Sequence, residues 1–359
     1  MIVVMKQGAT PAQIEAVEKR LVAMGYTTHP IHGEERTVIG AIGDTKAGGR
    51  ESILTLAGVE KIVPILKPYK LVSRELYAGP TKVEVGGIPV GGRGVMVMAG
   101  PCVVESEEQI FSTARAVKEA GCHCLRGGAF KPRTSPYSFQ GLGVTGLKLL
   151  AAAGDAVGLP VVSEVMDTRD VELVAQHVAV LQVGARNMQN YNLLKEVGMT
   201  SKPVLLKRGP AATVEEWLMA AEYVVREGNA HVIMCERGIR THETGTRNTL
   251  DLSSVLQVRA NSHLPVIVDP SHGTGVNSMV RPMARAAIAA GADGVMVEVH
   301  PEPARAMCDG QQSLDFEELE RLMEELKAVA RAVGRSLLAL GPGQAAVDPL
   351  AASTAASPN

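Results

Sequence analysis

"PVVSEVMDTRDVELVAQHVAVLQV", residues 160 to 183, sets two short aliphatic runs on either side of a charged amphipathic stretch. Near-continuous aliphatic runs are what parallel strands buried on both faces require, so the stretch reads as a β/α/β unit. Working outward, the pattern recurs: VMVMAG (95–100), CHCLRG (122–127), PVVSEV (160–165), VAVLQV (178–183), PVLLKR (203–208), HVIMCE (231–236), PVIVDP (265–270) and GVMVEV (294–299). A helix follows each run, the sixth only after a long polar loop. Ser106 with Gln109 and Thr213 with Glu216 form capping boxes, and Gly228, Gly291 and Gly334 stand where helices stop. Eight β/α units in about 250 residues specify an α/β protein of the (β/α)8 TIM-barrel class. An open doubly wound sheet is the alternative, but no GxGxxG follows the first strand. Before the barrel, TKVEVGGIPVG (82–92) reads as a hairpin turning at Gly86 and Gly87.

The first 66 residues follow another pattern. IVVM is a strand, and TPAQIEAVEKRLVAMG is a helix with Thr10 as N-cap, Pro11 at its first position and Gln13 closing a capping box. TVIGAI and KIVPIL read as strands around a second helix near Ile53 to Leu56, so the order is βαββαβ, the ferredoxin-like arrangement. The expected organisation is a ferredoxin-like domain at 1–66, a linker at 67–81, the barrel with its hairpin at 82–336, and a disordered Ala/Pro/Ser/Gly-rich tail at 337–359.

Composition excludes several classes. A net charge of -2 gives no overall pull toward nucleic acid or an anionic membrane, so any basic site is local. No run of 18 apolar residues exists, and MIVVMKQG is too short for a signal peptide, so the protein reads as cytoplasmic. Five cysteines without an export signal argue for reduced thiols that are buried or bind metal.

Barrel enzymes assemble their sites at the carboxyl ends of the strands. Here those ends carry Cys102, Arg126 with Lys131, Glu164, Arg186, Lys207, Arg237, His272 and Glu298. Folding alone does not call for so many ionisable groups in one place, and burying them together is costly unless they neutralise ligands. Cys102, His272, Glu298 and Asp309 make a mixed donor set suited to a divalent ion such as Mn2+, Fe2+, Co2+ or Zn2+. Arg126, Lys131, Arg186, Lys207 and Arg237 are too many cations for one carboxylate, and together suit a phosphorylated carboxylic acid. The loop GGAFKPRTSPYSFQGLG (127–143) lies in a span with no acid between Glu119 and Asp155. Its Arg133, Thr134 and Ser135 are placed to hold a second phosphate.

AGPCVVES, LRGGAFKPRTSPYSFQGLG, SEVMD, GARNMQN, VLLKRG, ERGIRT, VDPSHGTG, VEVHPEP and CDGQQSL resemble, in order, the motifs of 3-deoxy-D-arabino-heptulosonate 7-phosphate (DAHP) synthases of the shorter type I group with an N-terminal ferredoxin-like domain. The resemblance covers residues 1 to about 336. It implies metal-dependent condensation of phosphoenolpyruvate with erythrose 4-phosphate, the first step of the shikimate pathway toward aromatic amino acids. Under it Arg126, Arg186, Lys207 and Arg237 grip phosphoenolpyruvate with help from the Ala185 amide, and Glu164 positions the attacking water. Lys131, its pKa lowered by neighbouring cations, donates a proton to the new alkoxide, with Asp269 as its orienting partner. The resemblance also implies a homotetramer whose N-terminal modules bind tyrosine or phenylalanine and close over the barrel mouth. His29 and His32 in THPIHGEERTVIG are the candidate effector edge, and chorismate mutase is a candidate partner.

The alternative is 3-deoxy-D-manno-octulosonate 8-phosphate synthase, a similar barrel whose loop typically reads KANRSS where this chain has KPRTS. Sialic acid synthase is a more distant relative, and a non-catalytic sensor would not keep the whole strand-end set. Cys308, beside Asp309, is expected to form a disulfide with Cys102 when metal is absent and air is present. Cys122 and Cys124 are expected to point into the barrel as small core residues and His123 toward the helices; the scattered methionines read as core filler, and nothing around Trp217 points to a function.

Overall fold

Four apolar residues, Ile2–Met5, form the strand β1, buried along its whole length, around which the N-terminal unit is built. In this computed structural model, which describes residues 1–33, 36–43, 50–63, 67–132, 135 and 137–339, the helix α1 (Pro11–Ala23) follows. Thr10 and Gln13 close its capping box. Then come β2 (Thr27–His32), β3 (Thr37–Ile42), the short helix α2 (Arg50–Leu54) and β4 (Val59–Val63). The strands make an antiparallel sheet in the order β2-β3-β1-β4, which is the ferredoxin-like arrangement expected from the sequence. Val17 and Leu21 of α1 pack with Val3, Met5, Ile39 and Ile53 in its core. His29 and His32 lie on β2, an edge strand, and His32 Nδ1 is 3.1 Å from the Thr37 hydroxyl. Chain contacts group residues 1–80 with 258–263 as one unit and the remainder as the other.

The second unit begins with the hairpin β5 (Val83–Val85) and β6 (Ile88–Val90). Gly86 and Gly87 both have positive φ, which the tight turn requires. The chain then alternates strands with helices: β7 (Gly94–Gly100), α3 (Glu107–Glu119), β8 (Cys124–Arg126), α4 (Gly143–Val157), β9 (Val161–Val165), α5 (Val171–His177), β10 (Val180–Val183), α6 (Tyr191–Gly198), β11 (Val204–Lys207), α7 (Val214–Arg226), β12 (Val232–Glu236), α8 (Ser253–Asn261) and β13 (Val266–Val268). Two helices, α9 (Pro270–Thr274) and α10 (Asn277–Ala289), separate β13 from β14 (Gly294–Glu298), and α11 (Phe316–Ala332) and β15 (Ser336–Leu337) complete it. Strands β7 to β14 are parallel neighbours in chain order, and β14 pairs back onto β7 through five residue pairs, closing the barrel.

Side chains alternate along each strand, so every second residue points inward. Met98, Cys124, Val162, Val180, Leu205, Cys235, Ile267 and Met296 form one buried interior layer, one residue from each strand. Val83, Val85 and Val90 of the hairpin join that cluster. A Cβ on Gly86 would stand 2.6 Å from Pro160, and one on Gly91 3.0 Å from Pro265. Both prolines precede strands, so the hairpin plugs the amino-terminal end and leaves the other open.

Leu337 and Leu338, assigned by the sequence to a disordered tail, are instead bound to the barrel; residues 340–359 lie outside the described residues. Ser336 and Leu337 pair with Gly94 and Val95, and His123 reinforces the attachment. The Val97 N–H donates to His123 Nδ1 at 2.9 Å, which leaves Nε2–H to donate to the Leu338 carbonyl at 2.8 Å. Burial depresses the pKa of this imidazole, consistent with that neutral form. His123→Leu strands a buried N–H, so urea unfolding is expected to show a loss of about 1–3 kcal/mol; unchanged stability would contradict this role.

Candidate active site

Two residues beyond each member of the apolar layer, the interior changes character. The positions read Gly100, Arg126, Glu164, Gln182, Lys207, Arg237, Asp269 and Glu298, so the same two-residue period that buries the aliphatic side chains delivers a polar ring to the open end. Gly100 contributes no side chain, because its φ of 148° and a Cβ 2.0 Å from the Arg126 carbonyl exclude one. The ring is held by opposite charges. Arg126 reaches Glu298 at 3.0 Å, Lys207 reaches Asp269 at 2.6 Å, and the Gln182 amide donates to Glu164 at 3.2 Å. Arg237 differs: among the described residues its side chain makes one hydrogen bond, to the Gly238 carbonyl at 3.5 Å, and burial lowers its pKa.

The expected metal donors do converge. His272, Glu298 and Asp309 form one group whose donor atoms lie within 4.8 Å of one another, and Cys102, Cys308 and Asp309 form a second such group. His272 comes from α9, whose N-cap Asp269 accepts the His272 amide at 2.9 Å and lies 2.7 Å from its Nδ1. Burial pulls the His272 pKa down to about 4, so at neutral pH the ring is uncharged and its Nδ1–H donates to Asp269. Its Nε2 lone pair then faces Glu298 Oε1 across 3.2 Å with no proton between them. Two acceptors so placed fit a cation shared between them. Cys102 Sγ lies 3.4 Å from Asp309 Oδ2, and burial holds its thiol well above the usual range, so taking up a metal there would release its proton. Asp309 is the one non-glycine residue with positive φ among the described residues, a strained conformation of a kind that concentrates at functional sites.

A cavity at this end is lined by Arg126, Lys131, Arg186, Lys207 and Arg237, with Glu164 and Ala185. Arg133 and Thr134 lie outside the described residues. Ser135 is exposed, accepts the Tyr137 amide at 3.4 Å, and is not among the residues lining that cavity. Two expectations are corrected. Lys131 sits 2.8 Å from Cys102 Sγ and 3.4 Å from Asp309, not among cations. Burial works to lower its pKa, but the negative groups around it prevail and hold it above the ordinary value. Asp269 pairs with Lys207 and His272 and not with Lys131, because it rises from β13 whereas Lys131 hangs from the β8–α4 loop over Cys102.

Residues 80–334 match the family model described as "DAHP synthetase I family", and residues 1–67 match "DAHP synthase ferredoxin-like domain". The chain belongs to the DAHP synthetase I family. It is 50% identical over 334 residues to the phospho-2-dehydro-3-deoxyheptonate aldolase of Thermotoga maritima, covering 93% of this chain and 99% of that one. The crystal structure of the Thermotoga maritima enzyme superposes with a TM-score of 0.75 at 49% identity over 94% of this chain and 98% of that one. The 2-dehydro-3-deoxyphosphooctonate aldolase of Methylococcus capsulatus is 33% identical over 274 residues, 71% of this chain and 96% of its own length.

Three side chains at this family member's site escaped the sequence reading. Gln182 donates to Glu164, Arg247 lines the cavity, and Gln312 donates to Glu298 at 2.7 Å. Gln182 was within reach, since it stands two residues past Val180 as Glu164 does past Val162. Arg247 and Gln312 sit in loops with no periodicity to mark them. The ring also yields a steric test. A Cβ on Gly184 would lie 2.0 Å from Glu164 Oε1, while its own φ of -68° suits any residue. Gly184→Ala should displace Glu164 and lower kcat by up to about 100-fold while the protein stays folded. Wild-type turnover would show that Glu164 need not stand where it does.

Proposed function

We propose that the protein condenses phosphoenolpyruvate with D-erythrose 4-phosphate and water to give DAHP and phosphate, the first step of the shikimate pathway. The observation that carries this reading is the polar ring: buried cations around a cavity, with Arg237 hydrogen-bonded to a carbonyl and so left with charge to offer an anion. Arg126, Arg186, Lys207 and Arg237 bind phosphoenolpyruvate, and the Ala185 amide assists. Arg133, Thr134 and Ser135 take the phosphate of the aldose.

The donor set fits a divalent ion held by Cys102, His272, Glu298 and Asp309. When bound, that ion supplies Lewis acidity that polarises the aldehyde. Carbon 3 of phosphoenolpyruvate attacks the aldehyde carbon, forming the new C–C bond, and Lys131 gives a proton to the aldehyde oxygen. Its high proton affinity keeps it charged until that oxygen becomes basic. Glu164, steadied by Gln182, orients a water toward carbon 2 and accepts its proton. The C2 hydroxyl so formed becomes the C2=O ketone as the bond from C2 to the phosphate oxygen breaks, and its proton leaves with the phosphate.

The 3-deoxy-D-manno-octulosonate 8-phosphate synthase reading has support from the Methylococcus capsulatus relative. KPRTS and the match of residues 1–67 favour the four-carbon aldose. We further assign residues 1–66 a regulatory role, binding tyrosine or phenylalanine near His29 and His32 in a homotetramer.

Phosphate release is expected with erythrose 4-phosphate and to be at least tenfold slower with arabinose 5-phosphate; the reverse preference would support the alternative. Cys102→Ser should weaken metal binding by about 10–100-fold or more and remove most turnover, and full activity of the chelated wild type would contradict metal dependence. Tyrosine or phenylalanine should inhibit the full chain at saturating substrate, and indifference to both would contradict the regulatory reading.

A further inference from the structure

Gln312 is fully buried on a single turn between β14 and α11, and both ends of its amide are committed. Its Nε2 donates to Glu298 Oε2 at 2.7 Å, and its Oε1 accepts from Arg247 Nη1 at 2.9 Å. Neither end can be exchanged, because a carboxylate only accepts and a guanidinium only donates. Glu298 is thereby held with Oε2 turned away and Oε1 toward His272 Nε2 and Arg126.

Arg247 is itself fixed. Its amide donates to the Thr274 carbonyl at 2.8 Å, and the next residue, Asn248, donates to the Gly273 and His272 carbonyls at 3.0 Å each. The β12–α8 loop is therefore laced onto α9, the helix that presents His272. The contacts close a circuit from His272 through that loop to Arg247, through Gln312 to Glu298, and back to His272. We propose that Gln312 is a positioning residue, braced by Arg247, that orients Glu298 for the divalent ion and couples it to the helix carrying His272. This rests on the metal assignment of the proposed function.

The test is titration of the full-length, chelator-treated protein with Mn2+, reading free Mn2+ by electron paramagnetic resonance without substrates. Gln312→Met keeps length and charge but removes both hydrogen bonds, and should raise the Mn2+ Kd by about 10–100-fold. A change under twofold in a folded variant overturns the proposal. Arg247→Met, at a side chain one-third exposed, provides a second arm if the buried variant does not fold. Losing a cation 3.5 Å from Asp309 should by charge alone tighten Mn2+ binding, whereas loss of the brace should weaken it. Weaker binding, with the double variant no worse than Gln312→Met, supports the circuit; tighter binding or additive losses overturn it. Failure of the wild-type protein to bind Mn2+ would instead remove the metal assignment itself.

Discussion

Arg126 against Glu298 and Lys207 against Asp269 are buried ion pairs at the floor of the cavity, resting on a layer of eight apolar side chains. A buried charge without a partner costs several kcal/mol, so each of these two pairs depends on both of its members. The pairing also explains the protonation states. Burial alone would push the Asp269 and Glu298 carboxyls up, yet the His272 N–H groups and Lys207 hold Asp269, and Arg126 and Lys131 hold Glu298, below the ordinary value. The barrel thus presents fixed charges at a preformed site, and binding an anion there requires little reorganisation.

The barrel supplies the lower half of this site and the loops the upper half. Strand ends are placed to within the pleat of a sheet, and the ring inherits that rigidity. Cys102, Lys131, Arg247, His272, Cys308 and Asp309 instead come from segments beyond the strands, and contacts among themselves place them. Glu105 shows how. It accepts the Met307 amide at 2.8 Å and faces His300 Nε2 at 3.3 Å, tying the segment after Cys102 to the one that carries Cys308 and Asp309. The Cys102 and Cys308 sulfurs stand 3.2 Å apart, beyond the roughly 2.05 Å of a disulfide.

Much of this was legible in the sequence because parallel strands and capped helices leave periodic signatures. The eight aliphatic runs located every barrel strand, and reading two residues past an inward apolar residue leads to Arg126, Glu164, Lys207, Arg237 and Glu298. Pairwise geometry was not legible. Nothing near Lys131 in the sequence shows that Cys102 and Asp309 lie beside it, since that contact spans 29 residues in one direction and far more in the other. Gln312 looked like one of two ordinary glutamines in CDGQQSL, and only folding brings it between Glu298 and Arg247. The run read as PVIVDP ends two residues early in the structure, because Asp269 as N-cap and Pro270 at the first position start the short helix α9 there.

The central claim is that the buried cations of the ring exist to bind a phosphorylated carboxylate. Calorimetric titration of the full chain with phosphoenolpyruvate, comparing wild type with Lys207→Met, tests it most directly. Removing one desolvated charge contact should cost about 2–5 kcal/mol, which is at least thirtyfold in Kd. Equal affinity in the two proteins would contradict the account.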